Sequence, residues 1–138
     1  MTEPFAFPPH GRSDIWTEDR VLVVHTQGPW NRELVQEAAK VVLAKAEVFE
    51  GRPWLLLGII YGDGLHTPEA FQEMIQAIRD QQAAGRSGTA LILADVGNSS
   101  FFRGIYAKMY SAAAEPLEFF ADEASARAWI AERLTHLS

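Results

Sequence analysis

The run Trp54-Leu55-Leu56-Leu57-Gly58-Ile59-Ile60-Tyr61 carries no charged residue and no alternation of apolar with polar. A strand with one wet face alternates; one without alternation must be covered on both faces. The segment therefore reads as a central or shielded parallel strand. It is also far shorter than the ~20 apolar residues needed to cross a bilayer. Gly62-Asp63-Gly64 ends it, and Thr67-Pro68-Glu69 opens a helix with a hydroxyl cap, proline at the first helical position and an acid in the first turn. Phe71, Met74, Ile75, Ile78 and Gln82 mark that helix's stripe, and Gly85 its stop. Thr89 to Asp95 is the next buried strand.

The same alternation extends in both directions. Upstream, Asn31 caps an amphipathic helix whose stripe is Leu34, Ala38, Val41, Val42, Lys45 (by its stem), Val48 and Phe49, closed by Gly51 and Pro53. Before it, Ser13–Thr17 and Arg20–Thr26 flank Glu18-Asp19 and predict a hairpin. Downstream, Gly97-Asn98-Ser99-Ser100 leads into a third helix with Phe101, Phe102, Ile105, Tyr106 and Met109. A short strand follows over Leu117–Phe120, and Asp122 caps a last helix through Ala126, Trp129, Ile130 and Leu134. Strands separated by helices of this length require crossovers, hence a mainly parallel sheet. The expected fold is a single α/β domain over residues 12–138: an N-terminal hairpin, then repeated helix–strand units forming a four- to five-stranded sheet. Residues 1–11, with Pro4, Pro8 and Pro9, are expected to form a loose or extended lead-in.

Composition narrows the functional classes. The chain has 138 residues, enough to bury roughly two-thirds of its unfolded surface. It has no cysteine, which excludes disulfides, thiolate metal sites, iron–sulfur clusters and a cysteine nucleophile. Twelve Lys and Arg stand against 18 Asp and Glu, and no two basic residues are adjacent. Phosphate-backbone binding needs clustered cations, so nucleic acid is not an expected partner. Met1 to His10 lacks the basic start of a signal peptide, and the chain reads as cytoplasmic.

Parallel strands at 20–26, 54–61 and 89–95 would send three loops to one edge, the usual ligand edge of an open α/β sheet. Those loops are Gly28-Pro29-Trp30-Asn31, Gly62-Asp63-Gly64-Leu65-His66-Thr67 and Gly97-Asn98-Ser99-Ser100. Each precedes a helix, so unpaired N–H groups and positive helix ends favour an anion there, with Arg103 and Lys108 as nearby cations. Helix capping alone equally explains Asn31, Thr67, Ser99 and Asp122. Asp63 and His66 form the single close acid–histidine pair. It is too small for a zinc site, and as an acid–base pair it would need a hydroxyl from Thr67, Ser99 or Ser100. No GxSxG, P-loop or GxGxxG motif occurs. Phe101, Phe102, Tyr106 and Tyr110 give the third helix an aromatic surface that serves either the core or a partner.

The closing segment, Leu117-Glu118-Phe119-Phe120-Ala121-Asp122-Glu123-Ala124-Ser125-Ala126-Arg127-Ala128-Trp129-Ile130, resembles the end of STAS-like (SpoIIAA-like) domains, as does the Gly85-Arg86-Ser87-Gly88 turn into an apolar strand. That resemblance implies helices packed largely on one face of the sheet, no cofactor, and a role in binding rather than catalysis. In the anti-sigma-factor antagonists of this family a serine or threonine in an Asp-Ser-Ser-Gly-like loop is phosphorylated. The matching loop here keeps Asp63 but has Gly64 and Leu65 where hydroxyls belong, leaving Thr67 as the candidate acceptor. The expected function is a non-enzymatic module binding a protein partner or an apolar or anionic small ligand. Its contacts would come from Trp30, Asn31, Asp63, Gly64, His66, Thr67, Asn98, Ser99, Ser100, Phe102, Arg103 and Tyr106. The alternatives are a small hydrolase or transferase using Asp63 and His66 with a loop hydroxyl, and a scaffold that self-associates as a homodimer.

Overall fold

Asp19, with φ of +52°, reverses the chain between β1 (Arg12–Glu18) and β2 (Val21–Gln27), which pair antiparallel from Glu18 opposite Val21 to Arg12 opposite Gln27. The computed structural model describes residues 12–28, 30–61, 67–94 and 99–137. The chain continues through α1 (Arg32–Ala46), a 3-10 turn (Glu47–Phe49), β3 (Trp54–Tyr61), α2 (Pro68–Ala83), β4 (Arg86–Ala94), α3 (Ser99–Ala112), β5 (Leu117–Phe119) and α4 (Glu123–Leu137). The five strands lie in the order β1-β2-β3-β4-β5, and every pairing after the first is parallel. This α/β sheet, with a leading hairpin and helical crossovers, is the expected architecture.

β3 is buried at every position from Trp54 to Ile60 because opposite faces of the sheet meet different helices. Ile60 and Leu91 pack with Ile75 and Ile78 of α2 and Phe102, Tyr106 and Met109 of α3. Leu22 and Leu56 pack on the same side with Val42 and Ala46 of α1. On the reverse side, Val23, Leu55, Leu57, Ile59 and Ile92 meet Ala126 and Ile130 of α4. Three helices therefore cover one face and one helix the other. Burial of this kind contributes ~25 cal/mol per Å² of apolar surface.

Two local expectations are corrected. In α1 the buried line is Val35, Val42 and Ala46, continued by Phe49; Val41 faces solvent, and Val48 in the 3-10 turn is 61% exposed. Beyond Ala46 the chain leaves the α-helical period for the 3-10 turn, where Phe49 stacks on Trp54 at 5.5 Å between ring centroids. β4 also starts at Arg86, three residues before the expected strand, so Arg86 and Ser87 are not part of a turn. The turn is confined to Ala84 and Gly85. Gly85 has φ of +108°, and an added Cβ would lie 2.7 Å from the Arg52 carbonyl oxygen. A glycine is required there.

Candidate functional site

The parallel register aligns Gln27 with Tyr61 and Tyr61 with Ala94. The carboxyl ends of β2, β3 and β4 thus share one edge, and α1, α2 and α3 begin from it. Asn31 uses its Oδ1 to accept from the Leu34 N–H at 2.9 Å, and Thr67 its Oγ1 to accept from the Ala70 N–H at 3.1 Å. Both side chains therefore serve as helix caps. Thr67 is exposed. Asp63, Gly64, His66 and Asn98 lie outside the described residues, and with them the proposed acid–histidine pair. Ser99 is the first residue of α3.

Beside the start of α3 the edge carries a cleft of about 200 Å³, bounded by Leu93, Ser100, Arg103 and Phe119 to Ala121. The Arg103 guanidinium carbon lies 5.1 Å from the centroid of the Phe119 ring, a cation–π arrangement. Arg103 is exposed and has no carboxylate partner among the described residues. Ser100 and Arg103, singled out from sequence, are therefore brought together with apolar side chains from two strand ends.

The aromatic side chains divide differently from the sequence expectation. Phe102 and Tyr106 are buried against α2 and the sheet, whereas Phe101 is 58% exposed and meets Phe102 edge-on at 5.3 Å. Phe101 is thus the aromatic residue of α3 that a partner would meet at this edge. Trp30 and Tyr106 instead line a half-open cavity of about 80 Å³ between α1, α2, α3 and the sheet.

A second polar constellation lies at the opposite, amino-terminal edge of the parallel strands. Arg86 is buried and donates through Nε to Glu115 at 2.5 Å, through Nη1 to Gln81 at 2.5 Å, and through Nη2 to Thr89 at 2.7 Å and to the Tyr110 hydroxyl at 3.1 Å. Thr89 donates to Glu115 at 2.6 Å, and Gln82 donates to its other oxygen at 3.0 Å. Burial opposes the charged guanidinium, but the Glu115 carboxylate and the hydrogen bonds to Glu115 and the Tyr110 hydroxyl outweigh it and keep Arg86 protonated. Burial also pushes the Tyr110 hydroxyl up, so it stays neutral. Sequence reading missed this network: Arg86 passes for a turn residue, and Glu115 stands before Pro116 as if in a loop.

Among the described residues, no group of three or more His, Asp or Glu side chains is arranged to hold a metal ion, and no helix is long and apolar enough to cross a membrane. No protein-family model matches the chain, and no curated protein or solved structure matches it.

Proposed function

We propose that this chain is a cytoplasmic, non-enzymatic STAS-like (SpoIIAA-like) module that binds an anionic group flanked by apolar surface, carried by a protein partner or a small ligand, at the carboxyl edge of its sheet. The observation that carries this reading is the cleft at Ser100 and Arg103. Its lining is mainly polar: an exposed guanidinium without a carboxylate partner among the described residues and a hydroxyl, with Leu93, Phe119 and Phe120 supplying a smaller apolar margin. The start of α3 adds N–H groups whose orientation favours negative charge. Support for the STAS-like assignment comes from the leading hairpin, the sequential parallel strands and three helices on one face. Phe101, exposed in the first turn of α3, offers a partner an aromatic side chain on the same helix.

The test is an amide-resolved NMR titration with inorganic phosphate and with a short peptide rich in Glu and Leu. Saturable shifts are expected at residues 100–103 and 119–121, with the peptide binding more tightly than phosphate. Arg103→Glu, on an exposed position, should abolish both while leaving the melting temperature within about a degree. An edge that stays silent with both probes at millimolar concentration, or shifts that survive Arg103→Glu, would overturn the proposal.

A further inference from the structure

The two edges of the sheet end differently. β5 is three residues long, whereas β1 runs for seven without a proline, a lysine or a break in its register with β2. Short length, proline, lysine and bulges are devices that keep a strand edge from pairing with another chain, and β1 uses none of these.

Which backbone groups of β1 face outward follows from the ladder. The Arg20 carbonyl accepts from the Leu55 N–H at 3.1 Å and so points to β3. Backbone groups alternate in direction along a strand, so those of Val21, Val23, His25 and Gln27 point the other way, to β1. Their register partners Glu18, Trp16, Asp14 and Arg12 therefore turn their own N–H and C=O groups inward. Those of Ser13, Ile15 and Thr17 face away from the sheet, and no described strand pairs with them.

Two copies related by a two-fold axis can join this edge antiparallel. Centred on Ile15, the whole of β1 pairs: Arg12 stands opposite Glu18, Ser13 opposite Thr17 and Asp14 opposite Trp16. Centring on Asp14 would set two aspartates against each other, and centring on Trp16 would set Asp14 against Glu18. Like charges directly opposite are destabilising, so charge selects the Ile15 register. Arg12 and Glu18 there form a non-hydrogen-bonded pair, with Cα atoms ~4.5 Å apart. Glu18 can accept a further cation, because Arg127 is divided between Glu18 and Glu123, each at 2.8 Å, which leaves one net negative charge on the three.

On the helical face, Leu34 and Ala38 of α1 pack toward α2, and Val42 and Ala46 toward the sheet. At about 100° per residue, Leu43 falls on the flank of α1 away from α2, toward the β1 edge. It is 36% exposed and adds apolar surface for a second copy.

From these observations we infer that the free edge of β1 is an interface between two copies of this chain, paired antiparallel about Ile15 into one continuous sheet, with Arg12 of each copy facing Glu18 of the other. The interface is separate from the anion cleft, and neither reading requires the other.

Sedimentation velocity of the full chain at about 200 micromolar should show a dimer. Arg12→Glu sets acid against acid, and Glu18→Arg sets arginine against arginine. With two reversed pairs per dimer, each variant alone should associate at least about tenfold more weakly and sediment as a monomer, with thermal unfolding still cooperative. An equimolar mixture of the two restores both attractions and should recover the dimer. Amide exchange on the unaltered chain needs no variant: the N–H groups of Ser13, Ile15 and Thr17 should exchange more slowly as protein concentration rises. A monomer at about 1 mM, a dimer that survives both reversals, folded variants that do not recombine, or exchange at residues 13, 15 and 17 that ignores concentration would each overturn the inference. The anion-cleft titration reads residues 100–103 and 119–121, so failure of one proposal is distinguishable from failure of the other.

Discussion

Arg86 and Glu115 illustrate how much a single buried pair decides. With Glu115 enclosed and hydrogen-bonded from Arg86, Thr89 and Gln82, removing the arginine leaves a buried acid without its cation. Arg86→Met is expected to destabilise by about 3–5 kcal/mol, the usual effect of breaking one side of a buried pair. The double replacement Arg86→Met with Glu115→Leu should recover most of that loss, since an apolar pair of similar volume avoids desolvation. Urea unfolding of the three proteins checks this, and a double variant no more stable than the single would contradict it. Gly85 makes a second residue-scale case. Gly85→Ala places a methyl against the Arg52 carbonyl in a left-handed backbone, and a loss of roughly 1–3 kcal/mol is expected in the same assay.

Among the elements, α1 starts at the edge that carries the proposed contact. Asn31 fixes its first turn by accepting from Leu34, and Asn31→Ala should cost about 0.5–2 kcal/mol, read as a lower melting temperature. Asn31→Ser, which keeps an acceptor, should restore most of it; equal loss in both variants would mean the side chain acts otherwise. α3 presents two faces of different consequence. Phe102 is buried in the core formed with α2, while Phe101 stands in solvent. Phe102→Ala should therefore lower stability by about 3–5 kcal/mol, whereas Phe101→Ala should leave the melting temperature almost unchanged. Calorimetry on the two variants separates core from contact residue.

For the molecule as a whole, the hairpin and the last helix are tied across the reverse face. Arg127 bridges Glu18 and Glu123, each at 2.8 Å, and Asp122 accepts from the Ser125 N–H at 2.8 Å. Hydrogen bonds from Trp16 and then Arg127 hold the Glu18 carboxyl below its ordinary range, and the Ser125 N–H does the same for Asp122. Both folded-state values lie below the unfolded ones, so the stability they contribute is present above the ordinary carboxylate range and is lost as pH falls through the folded values. Thermal melts should show a decline beginning near pH 4, shallower in Glu18→Gln with Asp122→Asn than in the parent. A parent and a double variant with superimposable pH profiles would remove these groups from the acid response. Both sites are exposed, so the effect is modest and weaker in high salt.

The order of strands and helices, the parallel direction of β2 to β4 and the caps at Asn31, Thr67 and Asp122 are all readable from the sequence. Each depends on contiguous residues: a hydrophobic period, a cap, a glycine or a proline. The same reading finds Ser100 and Arg103, because a loop entering a helix has a local signature. Which side of α1 is buried, the pairing of Arg86 with Glu115 29 positions away, and the close approach of the Leu91 side chain to Gly58 are decided only in three dimensions. An alanine or a glycine has no sequence mark that tells a close contact from an unfilled space. That difference arises only when side chains from separate elements are packed against one another, and packing is a property of the assembled layers.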